Sequence, residues 1–237
     1  MSKLPRVNKP LFELLIPSQK TKVKARPFVV REEKILLMAQ QSGIEKEIVL
    51  AVKQVINNCI EDPQFNVDSL TTFDLEYMFL KLRARSVNNV IELSYRDNDD
   101  NKTYEFTVDL DDVDMSYPEN YNDRIQITDE VGIVMKYPSI TLLDNAPDNV
   151  SPTELVEYLI RSCIDYIYDA DTVYPTAEYS ETELTDFIDS LDVNTFTKIR
   201  EFFDSLPKLY YKITYNNANG EEKFIELTTL SDFFTWE

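Results

Sequence analysis

Apolar and polar residues alternate most clearly in residues 91–113, IELSYRDNDDNKTYEFTVDLDDV, and again in residues 211–233, YKITYNNANGEEKFIELTTLSDF. The parts come in the same order each time: an alternating run ending in Tyr, a polar tip, a second alternating run, then Leu and an acidic close. A period of two puts every second side chain on one face, so each stretch reads as a β-hairpin. Asn219-Gly220 signals a tight turn in the second, and the first tip is the polar run 97–101. That first tip reads as a solvated turn whose Asp97, Asp99 and Asp100 can be replaced by Ser without loss of the fold.

The rest of the chain alternates between short strands and helical stripes. Residues 11–16, LFELLI, the turn Pro17-Ser18-Gln19 and a basic run over 20–25 predict a small hairpin. A helix over 31–41 puts Ile35, Leu36, Met38 and Ala39 on one side and ends at Gly43. The next, over 45–60, repeats Ile48, Val49, Val52, Val55, Ile56 and Cys59 at three and four residues, the period of a buried stripe. Thr71 or Thr72 can cap a third helix over 73–85, with Leu75, Met78, Phe79 and Leu82 inward. Residues 114–150 are rich in Pro, Asp and Asn, with strand-like runs at 124–128 and 131–135. Ser151-Pro152-Thr153-Glu154 combines a capping box with Pro at the first helical position, and opens a helix carried to about Tyr168. Cys163 shares its stripe with Leu155, Leu159, Tyr166 and Ile167. A second box, Ser180 to Glu183, opens a helix over 181–191, and another helix covers 195–205 before the last hairpin.

These elements define an α+β protein with a helical core and antiparallel β-hairpins. Helix with an inward Cys, helix opened by Thr-Phe, then hairpin describes both 45–113 and 152–233, the second with one extra helix. This order reads as an internal duplication, although the shared identities are few and helix-helix-hairpin is a common arrangement. The expected organisation is a lobe at 1–113 (basic hairpin plus helix-helix-hairpin), a connector at 114–150 and a second lobe at 151–237.

Charge changes the picture in one respect. The chain has 237 residues and a net charge of -19, yet residues 1–34 hold nine Lys or Arg against three acids. An acidic body lacks the clustered cations that phosphate contacts need, which argues against nucleic-acid binding. No stretch reaches the roughly 20 apolar residues of a membrane span, and the first residues lack a signal-peptide core, so a cytoplasmic protein without membrane contact is expected. Cys59 and Cys163 lie on apolar helix faces and read as buried, reduced thiols.

Candidate chemistry is sparse. With no His, the usual general base, the usual nucleophile pairings and the commonest metal ligand are missing. The three glycines stand apart, so no phosphate-binding loop exists. Asp97-x-Asp99-x-Asn101 matches the opening ligands of an EF-hand, but Lys102 replaces the required Gly and Val108 the bidentate Glu. Forty-three acids guarantee carboxylate pairs by chance, so such pairs carry no weight for a hydrolase. No catalytic, cofactor-binding or metal residue is assigned, and the chain reads as a non-enzyme.

Arg26-Pro27-Phe28-x-Val30-x-Glu32-Glu33-Lys34-x-Leu36-Leu37-x-Ala39 resembles the signature start of the baseplate hub assembly proteins of T-even-type contractile-tailed bacteriophages. Further stretches agree in order: Phe12-Glu13 before Pro17-Ser18, Asn57-Asn58-Cys59, Phe73-Asp74-x-Glu76-Tyr77-x-Phe79, Glu92-Leu93-x-Tyr95, Met135-Lys136-Tyr137-Pro138 and Leu230-x-Asp232-Phe233-Phe234. The chain is similar to the products of genes twenty-six and fifty-one, more to the former. Where some relatives carry Cys pairs at the hairpin tips, this chain has none. The resemblance implies a structural or assembly protein of the tail baseplate hub. It would act through contacts with other hub and tail proteins in the host cytoplasm during assembly, either as a resident subunit of the virion tail baseplate or as a factor that leaves it, with self-association left open. The runner-up from charge alone is an acidic DNA mimic that blocks a host nucleic-acid-binding protein; the basic N-terminal hairpin counts against it.

Overall fold

The computed structural model describes residues 8–147 and 150–233. Lys3 and Arg6 of the basic head and Phe234 of the last motif lie outside them. The described chain forms two compact units, one of residues 8–116 and 208–233, the other of residues 117–207. The last hairpin therefore belongs with the N-terminal unit, where the sequence places it in a separate C-terminal lobe. Its acidic and aromatic partners, described below, lie more than 100 residues earlier, and no local pattern reports such pairing.

The chain opens with strands β1 (Phe12–Ile16) and β2 (Thr21–Ala25), paired antiparallel, and helices α1 (Val30–Ser42), α2 (Glu45–Cys59) and α3 (Thr72–Ser86). Both α1 and α3 pack on α2. The capping box of α3 pairs Thr71 with Asp74, and Asp74 also accepts from the Ser18 backbone N–H and hydroxyl at 2.8 and 2.6 Å. One buried carboxylate thus starts a helix and holds the β1–β2 turn. The hairpin of β3 (Val90–Arg96) and β4 (Thr103–Asp109) follows, then β5 (Asp114–Ser116). The Lys81 ammonium on α3 donates to the carbonyls of Leu110, Asp111 and Val113, which fastens the chain leaving β4.

Helix α1 is rotated from its expected setting. Glu32 is fully buried and shares the inner face with Ala39 and half-buried Ile35 and Leu36, while Met38 is 71% exposed. Residues 32, 35, 36 and 39 form a single i, i+3, i+4, i+7 stripe. The ion pair of Glu32 with Arg26 selects that stripe over the alternative containing Met38.

The other unit has the antiparallel sheet β6 (Arg124–Gln126), β7 (Gly132–Met135), β8 (Ile164–Tyr168) and β9 (Val173–Pro175). Its helices are α4 (Ile140–Asp144), α5 (Pro152–Cys163), α6 (Glu181–Asp189) and α7 (Val193–Asp204). Ile125, Ile133, Met135, Ile160, Cys163, Ile199 and Phe202 form its core. Helix α5 stops at Cys163, five residues before the expected end, and the chain turns directly into β8. Ile164, Tyr166 and Ile167 fit a helical stripe as well as a strand, and pairing with β7 decides for the strand. The chain then returns as β10 (Lys208–Asn216), which pairs with β5 and with β11 (Glu222–Leu227).

The two Cys-ended helices share a local arrangement. The Cys59 carbonyl accepts the Arg26 N–H at 2.9 Å, and the Cys163 carbonyl accepts the Lys136 N–H at 2.7 Å. Ala25 bridges Ile60 as Met135 pairs with Ile164, both antiparallel. The residues after the two Cys have nearly the same backbone, φ -79 and ψ 131 at Ile60, φ -75 and ψ 124 at Ile164. Both stretches run hairpin, basic residue, helix, Cys-ended helix; the first then continues through α3 to its hairpin, whereas the second inserts β8, β9 and α6 before α7 and the last hairpin.

Candidate interaction surface

The two hairpin tips point at each other. Asp97 is 4% exposed; one carboxylate oxygen accepts the Asp99 N–H and the other the Tyr215 hydroxyl, both at 2.8 Å. Asp100 accepts from the Lys102 N–H, the Tyr104 hydroxyl and the Ala218 N–H. Asp99 pairs with Lys223 at 2.7 Å. The Tyr215 ring packs on Tyr95, Tyr104 and Phe106, with centroids 6.4, 4.9 and 5.3 Å away. The tip expected to be a dispensable, solvated turn is instead the seat of the second hairpin. Its carboxylates point to hydroxyls, N–H groups and an ammonium, and among the described residues no three Cys, Asp or Glu converge as metal ligands.

The electrostatics follow these bonds. The Tyr104 hydroxyl holds the Asp100 carboxyl below its usual range. Desolvation and the Asp97 bond push the Tyr215 phenol up to about 12, and the Asp99 bond raises the Lys223 ammonium to about 12. The turns match as well. Asp97 and Asn217 each accept the N–H two residues on, and each tip has one residue in the left-handed region, Asn101 at φ 58° and Gly220 at φ 82°. Gly220 closes the second loop after a turn through Ala218 and Asn219, so the hairpin is one of the longer glycine-closed kind and not the two-residue Asn-Gly type.

A second polar node lies at the signature start. Arg26 donates to Glu32 at 3.0 Å and to the Asn58 carbonyl at 2.9 Å, and Arg31 reaches the same Glu32 oxygen at 2.8 Å. Burial alone would raise the Glu32 carboxyl, but Arg26, the Val29 N–H and Arg31 hold it at about 2. Glu76 shows the reverse: desolvation lifts it to about 7 against one backbone bond from Leu230. Burial pushes the Cys59 and Cys163 thiols up to about 11 and about 12, which leaves both protonated and inert.

The outer surfaces also carry apolar groups. On α1, the turn into α2 and the first half of α2, Val30, Leu37, Met38, Ile44 and Leu50 are 47 to 71% exposed. In the other unit, Val156, Leu159 and Ile160 of α5 face Phe196 and Phe203 of α7 across an open groove of about 530 Å³. Sequence reading missed both. Its stripes assign Leu155 and Met38 inward, and the helical spacing of Val193, Phe196 and Phe203 on α7 does not say whether the chain itself covers them. No helix among the described residues is long and apolar enough to cross a membrane.

The stretches quoted for the resemblance turn out to be joints. Pro17-Ser18 meets Phe73-Asp74, Arg26 meets Glu32 and Asn58, Lys136 meets Cys163, and Asp232 accepts the Thr228 and Thr229 N–H groups while Phe233 is buried. No curated protein and no solved structure matches the chain. The sequence profile of the family described as "T4 bacteriophage base plate protein" matches residues 9–235. That match takes in every one of these joints, and the chain belongs to the T4 bacteriophage base plate protein family.

Proposed function

We propose that the protein is a structural or assembly component of the baseplate hub, working through protein contacts without turnover, and nearer to the product of gene twenty-six than to that of gene fifty-one. The observation that carries this reading is the distribution of polar and apolar groups. In the unit of residues 8–116 and 208–233 the buried carboxylates Glu32, Asp74 and Asp97 hold elements together, while in both units apolar helix faces are left to solvent, as expected of a protein that is completed by its neighbours. The absence of His from the sequence and the inert thiols agree with a non-enzymatic role. Assembly would begin in the host cytoplasm, and the finished position would be the tail baseplate.

Cross-linked capture of the tagged chain from infected cells tests this. Baseplate and tail-hub proteins are expected as its principal partners. Capture of a host nuclease or repressor, with no baseplate protein, would overturn the reading in favour of an acidic decoy.

A further inference from the structure

The internal repeat shows what is missing beside α5. Counting back from the shared Cys, Ala51, Val52, Val55 and Ile56 of α2 correspond to Leu155, Val156, Leu159 and Ile160 of α5. Ala51 and Val52 are 4% and 2% exposed, whereas Leu155 and Val156 are 37% and 44% exposed. Helix α2 has a helix packed on it from either side of the sequence, the 13-residue α1 and the 15-residue α3. The helix that precedes α5 has only 5 residues, and α5 packs on α6, leaving its flank toward α7 as the apolar groove. Phe196 and Phe203 complete that groove together with one cation, Arg200, and one anion, Asp204, so its negative setting comes from the rest of the unit; Val193, at the start of α7, is 82% exposed.

The surrounding charge specifies the occupant. Residues 117–207 carry five Lys or Arg against nineteen Asp or Glu. An apolar trough in so negative a setting attracts a cationic segment and disfavours an acidic one. A helix with one apolar stripe and Lys or Arg on its other face satisfies both demands.

We infer that the α5–α7 groove is a docking site for a basic amphipathic helix of a partner protein, which takes the kind of place that a helix of the chain itself takes on α2. The inference rests on the contact-making role proposed above, but its binding test needs no phage, so loss of binding and loss of assembly are separate outcomes.

The test titrates the full chain with two labelled peptides of about 18 residues, five turns of helix. Both have the same Leu stripe; one has Lys and the other Glu on the polar face. The Leu/Lys peptide is expected to bind and the Leu/Glu peptide not to. Val156→Asp with Phe196→Asp adds negative charge, which favours a cation, so binding weakened by about tenfold or more reads the apolar contact itself. Equal binding to wild type and variant, or equal binding of both peptides, would overturn the inference. So would a wild-type dimer that the variant converts to monomer, since the occupant would then be a second copy. Should the variant fail to melt like wild type, peptide-induced NMR shifts in the unaltered chain decide. They are expected at Val156, Leu159, Phe196 and Phe203, and shifts confined elsewhere would contradict the site.

Discussion

The two Cys-ended helices share a backbone arrangement and differ in how their charge is housed. At the first, Arg26 is 17% and Glu32 0% exposed at the side chain, and the Arg26 guanidinium also satisfies the Asn58 carbonyl. At the second, Lys136 reaches Asp165 at 3.7 Å with the side chains 49% and 52% exposed. The backbone bond to the Cys carbonyl is common to both, so the strand-to-helix joint does not require a buried ion pair. The first junction adds one because α1 has to be set in rotation on α2. The second has only the short α4 to place.

Glu32→Ala should produce the largest effect. It leaves Arg26 partly buried without its carboxylate, a loss of about 3–5 kcal/mol, whereas Asp165→Ala should cost about 0–1 kcal/mol. Urea denaturation of the two variants checks this, and equal losses would break the contrast. The Glu32 pKa is depressed to about 2, so its contribution is present above the ordinary carboxylate pKa and is lost as pH falls toward 2.

Glu76 sharpens the same point with the opposite sign. Its pKa is raised to about 7, so the folded state holds its proton more tightly than the unfolded chain does. Stability from this group is greatest below the ordinary carboxylate pKa and declines as pH rises through 7. Glu76→Gln should therefore stabilise the protein by about 1–3 kcal/mol at pH 8 and change little at pH 4. A variant equally stabilised at both pH values would show that titration is not the cause.

The hairpin tips come next. Asp97→Ala and Tyr215→Phe should each lower the urea midpoint, and the double variant by less than their sum, since both remove the same bond. Strict additivity would mean that the Tyr215–Asp97 bond does not couple the tips. Lys223→Ala should have the smallest effect, with a urea midpoint close to that of wild type, because its partner Asp99 is 60% exposed at the side chain.

Much of this was readable from the sequence because the signals were local. The capping boxes at Ser151 and Ser180, the period-two runs of both hairpins and the stripe of α2 each contain their own evidence. What could not be read depended on partners outside the element itself. Ile164 to Tyr168 becomes a strand because β7 is beside it, and Met38 faces outward because Arg26 draws Glu32 in. Asp97, Asp99 and Asp100 look solvated until Tyr215, Ala218 and Lys223 arrive from the far end of the chain. The groove of α5 and α7 was illegible for a related reason: an apolar stripe in sequence does not say whether the chain itself covers it.

The most direct measurement is electron microscopy of lysates from cells infected by phage lacking this gene, with and without the chain supplied in trans. The account predicts unassembled tail parts without completed baseplates, and recovery of whole baseplates when the chain is restored. Normal baseplates in its absence would contradict it.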